Sequence, residues 1–142
     1  MKLKAPIFGL ALSMSVASLT TCAAELVLTV QNIDSAQGSI MVAVYDSADQ
    51  WLKKPVVAVH QPVSGLDGGK ITFVLKDLPE GELAISLFHD VNGNGKLDSN
   101  SMGIPLEPYG FSNDATAMFS APKFEPASFK LPGIAHMTIT LN

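Results

Sequence analysis

Apolar residues recur at every second position through most of the chain beyond its N-terminal segment, and this period argues against a helical fold. The clearest example is Leu26, Leu28 and Val30, which alternate with Val27 and Thr29. Alternation of this kind is typical of a strand with one face on a core. Segments that alternate or are rich in β-branched residues are 26–30, 39–45, 56–63, 71–75, 83–88, 128–131 and 137–141.

Turns containing glycine, asparagine or proline separate these segments, so consecutive strands can pair in antiparallel fashion. The sequence therefore predicts an all-β fold: an antiparallel β-sandwich, immunoglobulin- or transthyretin-like, of about seven strands. Only 46–52 and 113–119 suit a helix, and Pro55 and Pro122 limit each of them to about two turns. Residues 90–126 lack clear strand signals but carry several aromatic side chains, which predicts one long loop packed over an end of the sandwich.

The N-terminal segment has the composition of an export signal. Lys2 and Lys4 precede an uncharged apolar stretch at 7–19, which is shorter than the roughly 20 residues that a membrane-spanning helix needs. Small residues then lead to Ala24, and they fit cleavage after that residue. A buried N-terminal helix or an uncleaved anchor is the alternative interpretation. We expect an exported protein, periplasmic or secreted.

Cleavage after Ala24 defines a signal peptide at 1–24 and a single β-sandwich domain at 25–142. The sole cysteine, Cys22, falls inside the signal, so the domain has no thiol for a disulfide, a nucleophile or a copper or iron–sulfur centre. A lipoprotein anchored through Cys22 is the alternative, although Thr21 stands where such signals carry Gly, Ala or Ser. That alternative describes a lipid-anchored structural module of the cell envelope.

The charge composition restricts the partners. The chain has nine lysines, no arginine and 13 acidic residues, and loss of Lys2 and Lys4 changes the net charge from −4 to −6. An acidic domain without a basic face is not suited to nucleic acid and favours cations. No later stretch is apolar enough to cross a membrane. We expect a monomer with no transmembrane span after signal cleavage, whose partner is an unidentified envelope or extracellular ligand.

The segment 90–98 has the spacing of a calcium loop. Side chains with oxygen atoms occur at relative positions 1, 3, 5 and 9, and a glycine occupies position 6, as in an EF-hand loop. A hard cation needs this alternation because successive ligands must converge on one centre from the inside of a tight coil. The expected calcium ligands are Asp90, Asn92, Asn94, Asp98 and the backbone carbonyl of Lys96.

The segment departs from a calcium loop at position 12, where Ser101 replaces the usual bidentate glutamate. A complete site therefore needs water or a remote acid such as Glu107 or Asp114. We expect weak binding, with a Kd on the order of 10⁻⁴ to 10⁻³ M, as in extracellular modules. The two Asn-Gly pairs at 92–95 are also typical of tight turns, so a turn that binds no metal is the alternative.

A catalytic alternative uses side chains next to the same loop. A small periplasmic hydrolase or ligand-binding protein would use His89, Asp90 and Asn113 in a cleft. A Ser–His–acid triad of Ser112, His89 and Asp114 is a related hypothesis, but Ser112 lacks the glycine-flanked turn that strains a catalytic serine. The sequence contains no convincing catalytic constellation, so we expect a protein that is not an enzyme.

Two further interpretations rest on residue type. Zinc or copper would need His60, His89 and His136 to converge, and each is more typical of a hydrogen-bonded strand histidine. A sugar platform would use exposed aromatic side chains, for which burial is the more typical role. The aromatic candidates are Trp51, Tyr45, Tyr109 and Phe111.

Short motifs occur in a characteristic order between residues 78 and 124, within a likeness that extends over nearly the whole domain. They are LPEG at 78–81, FHDVNGNGKLD at 88–98, GIP at 103–105, YGFSN at 109–113 and PKF at 122–124. In this order they resemble domain-of-unknown-function family 2141, a bacterial family of exported proteins. The resemblance implies a signal peptide followed by one compact domain, and it implies no activity. The chain is also similar, at the level of fold only, to transthyretin-like and Cna-B-type sandwiches.

Taken together, these features predict an exported, non-catalytic β-sandwich. Calcium held at 90–98 would stiffen the long loop as far as Pro126. A rigid scaffold with one elaborated end is a common way to present a binding site, so we expect that loop to be the recognition surface.

Overall fold

Eight strands form among residues 24–142, the part of the chain that the computed structural model describes, and they follow the alternating segments closely. The predicted signal peptide, apart from Ala24, and Cys22 lie outside the described residues. The strands are β1 (Ala24–Gln31), β2 (Ser39–Tyr45), β3 (Val57–Pro62), β4 (Ile71–Leu78), β5 (Gly81–Asp90), β6 (Tyr109–Phe111), β7 (Phe129–Leu131) and β8 (His136–Thr140). A 3₁₀ turn at Ser112–Asp114 and a short helix α1 (Phe124–Ala127) lie between β6 and β7.

The strands form two sheets. One has the order β4-β1-β8, the other has the order β3-β2-β5-β6, and β7 pairs with the start of β5. Neighbouring strands are antiparallel except β1 and β8, which run parallel from the pair Val27 and His136 onward. The predicted all-β sandwich is confirmed. The parallel pair and β6 are additions that the sequence pattern does not reveal.

The core lies between the inner faces of the two sheets, as the alternation predicts. Leu26, Leu28 and Val30 of β1 are fully buried. Burial of a large aliphatic side chain contributes about 1.5–3 kcal/mol, so the alternating residues supply most of the driving force for closing the two sheets. Other buried members of this core are Ile40, Val42, Val44, Leu75, Leu78, Leu83, Ile85, Leu87, Leu131, Ile139 and Leu141.

The outer face of the second sheet is covered at one end by a cluster of aromatic side chains. The ring of Trp51 lies 5.0 Å from that of Tyr45, 5.9 Å from Phe111 and 6.0 Å from Phe124. Trp51 Nε1 donates a hydrogen bond of 2.8 Å to the carbonyl of Pro122, which ties the segment after β2 to the segment before α1. The predicted long loop therefore packs against the sandwich around Phe111, Pro122 and Phe124, and β6 divides it into two shorter segments.

Neither predicted helix forms. Residues 46–52 make isolated turns, and Leu52 has a left-handed φ of 57° that ends them. Within 113–119, Asn113 and Asp114 have φ values of 60° and 48°, which are incompatible with a right-handed helix. Among the described residues, no helix combines the length and the apolar character that crossing a membrane requires.

Candidate functional site

The candidate loop begins where β5 ends, at a buried aspartate. Asp90 is only 3% exposed, and its carboxylate accepts three backbone hydrogen bonds. Oδ1 accepts from Gly93 N at 2.9 Å and Asn94 N at 3.1 Å, and Oδ2 accepts from Gly95 N at 2.8 Å. These bonds wind the chain around the carboxylate, so Asp90 organises the loop from its inside.

The next three predicted ligands converge on one another. The amide groups of Asn92 and Asn94 both donate from Nδ2 to the carboxylate of Asp98, and the two bonds from Asn94 measure 2.9 and 3.0 Å. The amide oxygens face the backbone instead, since Asn92 Oδ1 accepts from Asn94 N and Asn94 Oδ1 accepts from Lys96 N. The two amide groups therefore satisfy the Asp98 carboxylate from within the loop.

The loop's glycines supply the sharp turns. Gly93 and Gly95 have φ values of 74° and 75°, in the left-handed region that L side chains rarely adopt. No atom lies within 4 Å of a Cβ built on either residue, so their role is conformational rather than steric.

Glu107 closes the loop from the far side. Glu107 is buried, with 9% of the residue exposed, and its carboxylate accepts from Val91 N at 3.0 Å through Oε1 and from Asp98 N at 3.1 Å through Oε2. Glu107 was one of the two remote acids expected at the site. The other, Asp114, is bonded to Thr140 N at 2.8 Å and belongs to a different part of the molecule.

A tight hairpin at 98–106 projects from the base of the loop. Leu106 N donates to the Asp98 carbonyl at 2.7 Å, and Asn100 Oδ1 accepts from Met102 N at 2.9 Å and Ile104 N at 3.0 Å. The side chains of Met102 and Leu106 are 81% and 68% exposed, and Ile104 is also exposed. The sequence pattern did not predict this hairpin, although Asn100 followed by Gly103 is a recognisable turn signal.

Gly38 holds the start of β2 against the end of β5. A Cβ on Gly38 would lie 2.0 Å from the backbone oxygen of Asp90, and its φ is 79°. The neighbouring Gln37 carbonyl lies 2.7 Å from His89 Nε2, which must therefore carry the proton and donate. This close approach was not predictable, because nothing in the sequence pattern shows which strands meet at Gly38.

The catalytic candidates do not share a cleft. His89 is buried and bonded to Gln37, and Asp90 follows it on β5 and so faces the opposite side of the sheet. Asn113 donates instead to the carbonyl oxygens of Pro126 and Ser128. The structure thus separates the three side chains of the hydrolase hypothesis.

Ser112, the serine of the triad hypothesis, is fully buried. Its Oγ accepts from Ile85 N at 2.8 Å and donates to the Ala127 carbonyl. These bonds tie α1 to the middle of β5, which is a structural role. Asp114, the proposed acid of the triad, is bonded to Thr140 as described above.

The remaining candidate groups are also dispersed. His60 and His136 are exposed on β3 and β8, at the edges of different sheets, and His89 is buried on β5. Within residues 24–142, no three His, Cys, Asp or Glu side chains are grouped closely enough to hold a metal ion. The donors of the 90–98 loop are a mixture of carboxylates and carboxamides. Trp51, Tyr45 and Phe111 are buried together and do not form a sugar platform.

The comparisons with known proteins bear on the family alone. No curated protein and no solved structure gives a significant match to the chain. The family model described as an uncharacterised protein conserved in bacteria (DUF2141) matches residues 28–140, which is nearly the whole described domain. The resemblance inferred from the motifs is therefore confirmed, and the chain belongs to this bacterial family.

Proposed function

We propose that the protein is an exported, non-catalytic binding module whose 90–98 loop holds a weakly bound calcium ion. The ion would be bound by the side chains of Asp90, Asn92, Asn94 and Asp98 and by the carbonyl of Lys96. It would stabilise the adjoining hairpin at 98–106, which would serve as the recognition surface. Export rests on the N-terminal sequence, and the calcium site rests on the spacing and geometry of the loop.

The observation that carries the proposal is the convergence of the loop's side chains. Asn92 and Asn94 both reach the carboxylate of Asp98, and Asp90 lies on the inside of the same coil. The two amide Nδ2 groups occupy the place at Asp98 where a cation would bind. Rotating each amide by half a turn would present its oxygen to that place, with the carboxylate of Asp98 as a charged ligand.

The same geometry supports weak rather than tight binding. Rotation of the two amides breaks the bonds from Asn94 N to Asn92 Oδ1 and from Lys96 N to Asn94 Oδ1. Each such backbone bond contributes about 0.5–1.5 kcal/mol, and binding must exceed that loss. Glu107 is already engaged with two backbone N–H groups, so it adds negative charge nearby but no free bidentate ligand. We expect a Kd on the order of 10⁻⁴ to 10⁻³ M.

The hairpin is suited to recognition because it exposes apolar side chains on an ordered backbone. Met102, Ile104 and Leu106 are exposed, although the segment that carries them is closed by internal hydrogen bonds. Exposed apolar groups that cluster in this way often mark a contact surface. Asp98 would couple the ion to the hairpin, because its side chain is a proposed ligand and its carbonyl forms the hairpin's base.

Thermal unfolding with and without calcium tests this proposal. A ligand that binds only the folded state stabilises it by about 1.4 kcal/mol at ten times its Kd. For a domain of this size, that increase raises the unfolding midpoint by about 3–6 °C. We expect this rise in millimolar calcium relative to a chelator, and we expect magnesium to produce a smaller rise.

Two charge-matched variants serve as controls for the melting experiment. Asp98→Asn removes a proposed charged ligand, and its midpoint should not respond to calcium. Asp49→Asn removes the same charge from an exposed site after β2, at the opposite end of that strand from the loop, and it should respond as the unmodified protein does. If the unfolding midpoint of the unmodified protein is the same in calcium and in chelator, the loop is a turn that binds no calcium.

A further inference from the structure

A second candidate site lies on the outer face of the sheet β3-β2-β5-β6, away from the core. The strand register places three small side chains side by side across three adjacent strands. Ala43 of β2 is opposite Ala58 of β3 on one side and Ser86 of β5 on the other. The next row on the same face consists of large side chains, with Met41 opposite His60 and Phe88.

These rows form a trench across the strands. Its floor is the row of small side chains, and one wall is the row that contains Met41 and Phe88. Tyr45, two residues further along β2, forms the other wall. Two residues of strand rise by about 7 Å, so the wall rows lie about 13 Å apart at their Cα atoms, which leaves room for a single ring between them. The cavity measures about 220 Å³.

The far end of the trench is closed, and the near end is open. Phe111 of β6 is opposite Ser86, in line with the floor, and it is buried in the aromatic cluster around Trp51. At the other end lies β3, the edge strand of this sheet. A ligand would therefore enter over β3 and be stopped at Phe111.

Two hydroxyl groups, those of Tyr45 and Ser86, line one side of the trench. Tyr45 is 94% buried as a residue, and its Oη lies 3.5 Å from Ser86 Oγ. Two hydroxyl groups that share one hydrogen bond retain a second proton, which can be donated to an acceptor. This donor lies at the Tyr45 wall of the trench, and the other lining side chains except His60 are apolar.

The lining also restricts the charge of an occupant. Apart from the imidazole of His60, the described side chains that line the trench carry no ionisable group other than the phenol of Tyr45. A cationic ligand would lose hydration without gaining an ion pair, and an anionic ligand could pair only with His60 on the exposed edge strand, so both are disfavoured relative to a neutral ligand. The volume is smaller than the roughly 300–1,000 Å³ of a site for drug-sized ligands, so the occupant is a small molecule.

We propose that this trench binds a small neutral aromatic molecule bearing a hydrogen-bond acceptor such as a carbonyl oxygen. The ring lies over Ala43 between the side chains of Phe88 and Tyr45. The acceptor receives the second proton of the Tyr45 and Ser86 hydroxyl pair. The proposal is independent of the calcium loop, since none of its residues belongs to 90–98.

Titration with three related probes tests the proposal, with backbone amide NMR as the readout. Acetophenone has the ring and the carbonyl, ethylbenzene has the ring without an acceptor, and benzoate has the ring with a negative charge. Millimolar acetophenone should shift the amide signals of Ala43, Ala58 and Ser86. We expect ethylbenzene to bind about 3- to 10-fold more weakly, which is the range that one hydrogen bond provides. Benzoate should bind more weakly than acetophenone.

Three variants complete the test. Ala43→Leu fills the floor and should abolish the shifts, whereas Val74→Leu, on the exposed face of β4, should leave them intact. Should Ala43→Leu fail to fold, the double variant Tyr45→Phe with Ser86→Ala keeps the trench's shape and removes both hydroxyls. It should weaken acetophenone by about 3- to 10-fold and leave ethylbenzene unchanged.

Three results would overturn the proposal. One is the absence of shifts at these three positions with all probes. Another is undiminished binding of acetophenone to folded Ala43→Leu. The third is equal affinity of the double variant and the unmodified protein for acetophenone.

Discussion

Replacing Gly38 with alanine is expected to prevent stable folding, or to destabilise the protein by more than about 4 kcal/mol. The added Cβ would lie 2.0 Å from the backbone oxygen of Asp90 and 2.8 Å from Val91 Cα. Both contacts are backbone atoms at the junction of two paired strands, so neither can move aside without breaking the pairing of β2 with β5. Urea denaturation, or the yield of folded protein, measures the effect.

Gly65→Ala is a matched control for this prediction. Gly65 also has a positive φ, of 90°, but no atom lies within 4 Å of its added Cβ. Alanine there should cost only the conformational penalty of a left-handed residue, about 1–2 kcal/mol. The difference between the two variants therefore isolates the steric overlap. Equal losses of stability would mean that β2 and β5 do not approach as closely as described.

Replacing Asp90 with asparagine is expected to destabilise the protein by about 2–3 kcal/mol, although the two side chains have nearly the same shape. The carboxylate accepts from three backbone N–H groups through both of its oxygens. An amide has one accepting oxygen, so its NH₂ group must face at least one of those donors. The free energy of unfolding in urea measures the loss, and the amide of Gly95 or of Gly93 should exchange with solvent faster.

Asp49→Asn again provides the comparison. Its side chain is exposed, and the same change of charge there should alter the free energy of unfolding by less than about 0.5 kcal/mol. Equal stability of the Asp90→Asn and Asp49→Asn variants would contradict the role of Asp90 as the organiser of the loop. Such a result would also remove the structural basis for a calcium site at that position.

The strands were predictable from sequence because alternation reports directly on which face is buried. β1 and β2 have the alternating burial that the pattern of Leu26, Leu28, Val30 and their neighbours indicates. The parallel pairing of β1 with β8 was not predictable, since alternation gives no strand direction. β6 is only three residues long and has a central glycine, so it carries no periodic signal.

The candidate loop was predictable in its membership but not in its internal bonding. The spacing of Asp90, Asn92, Asn94 and Asp98 indicates convergence, and their mutual hydrogen bonds show it. Each asparagine amide can turn either its oxygen or its NH₂ group toward Asp98. The orientation depends on whether a backbone N–H group binds the amide oxygen, and the sequence does not reveal this. Glu107 was named only as one of two remote acids, because its approach depends on how the hairpin at 98–106 returns.

The trench on the outer sheet face could not be predicted, because it depends on register. Ala43, Ala58 and Ser86 lie in separate strands, and a slip of one residue in either pairing would place other side chains beside Ala43. The sequence also predicted short helices at 46–52 and 113–119, each followed by a proline that limits its length. In the first segment Trp51 packs against neighbouring aromatic rings from irregular turns, and in the second the left-handed φ values of Asn113 and Asp114 exclude a helix.

Calorimetric titration of the protein with calcium is the most direct test of the claim that the oxygen-bearing groups of 90–98 hold a cation. We expect binding at one site with a Kd on the order of 10⁻⁴ to 10⁻³ M, lost in Asp98→Asn and retained in Asp49→Asn. The absence of any binding heat at millimolar calcium, or equal binding by the two variants, would contradict it.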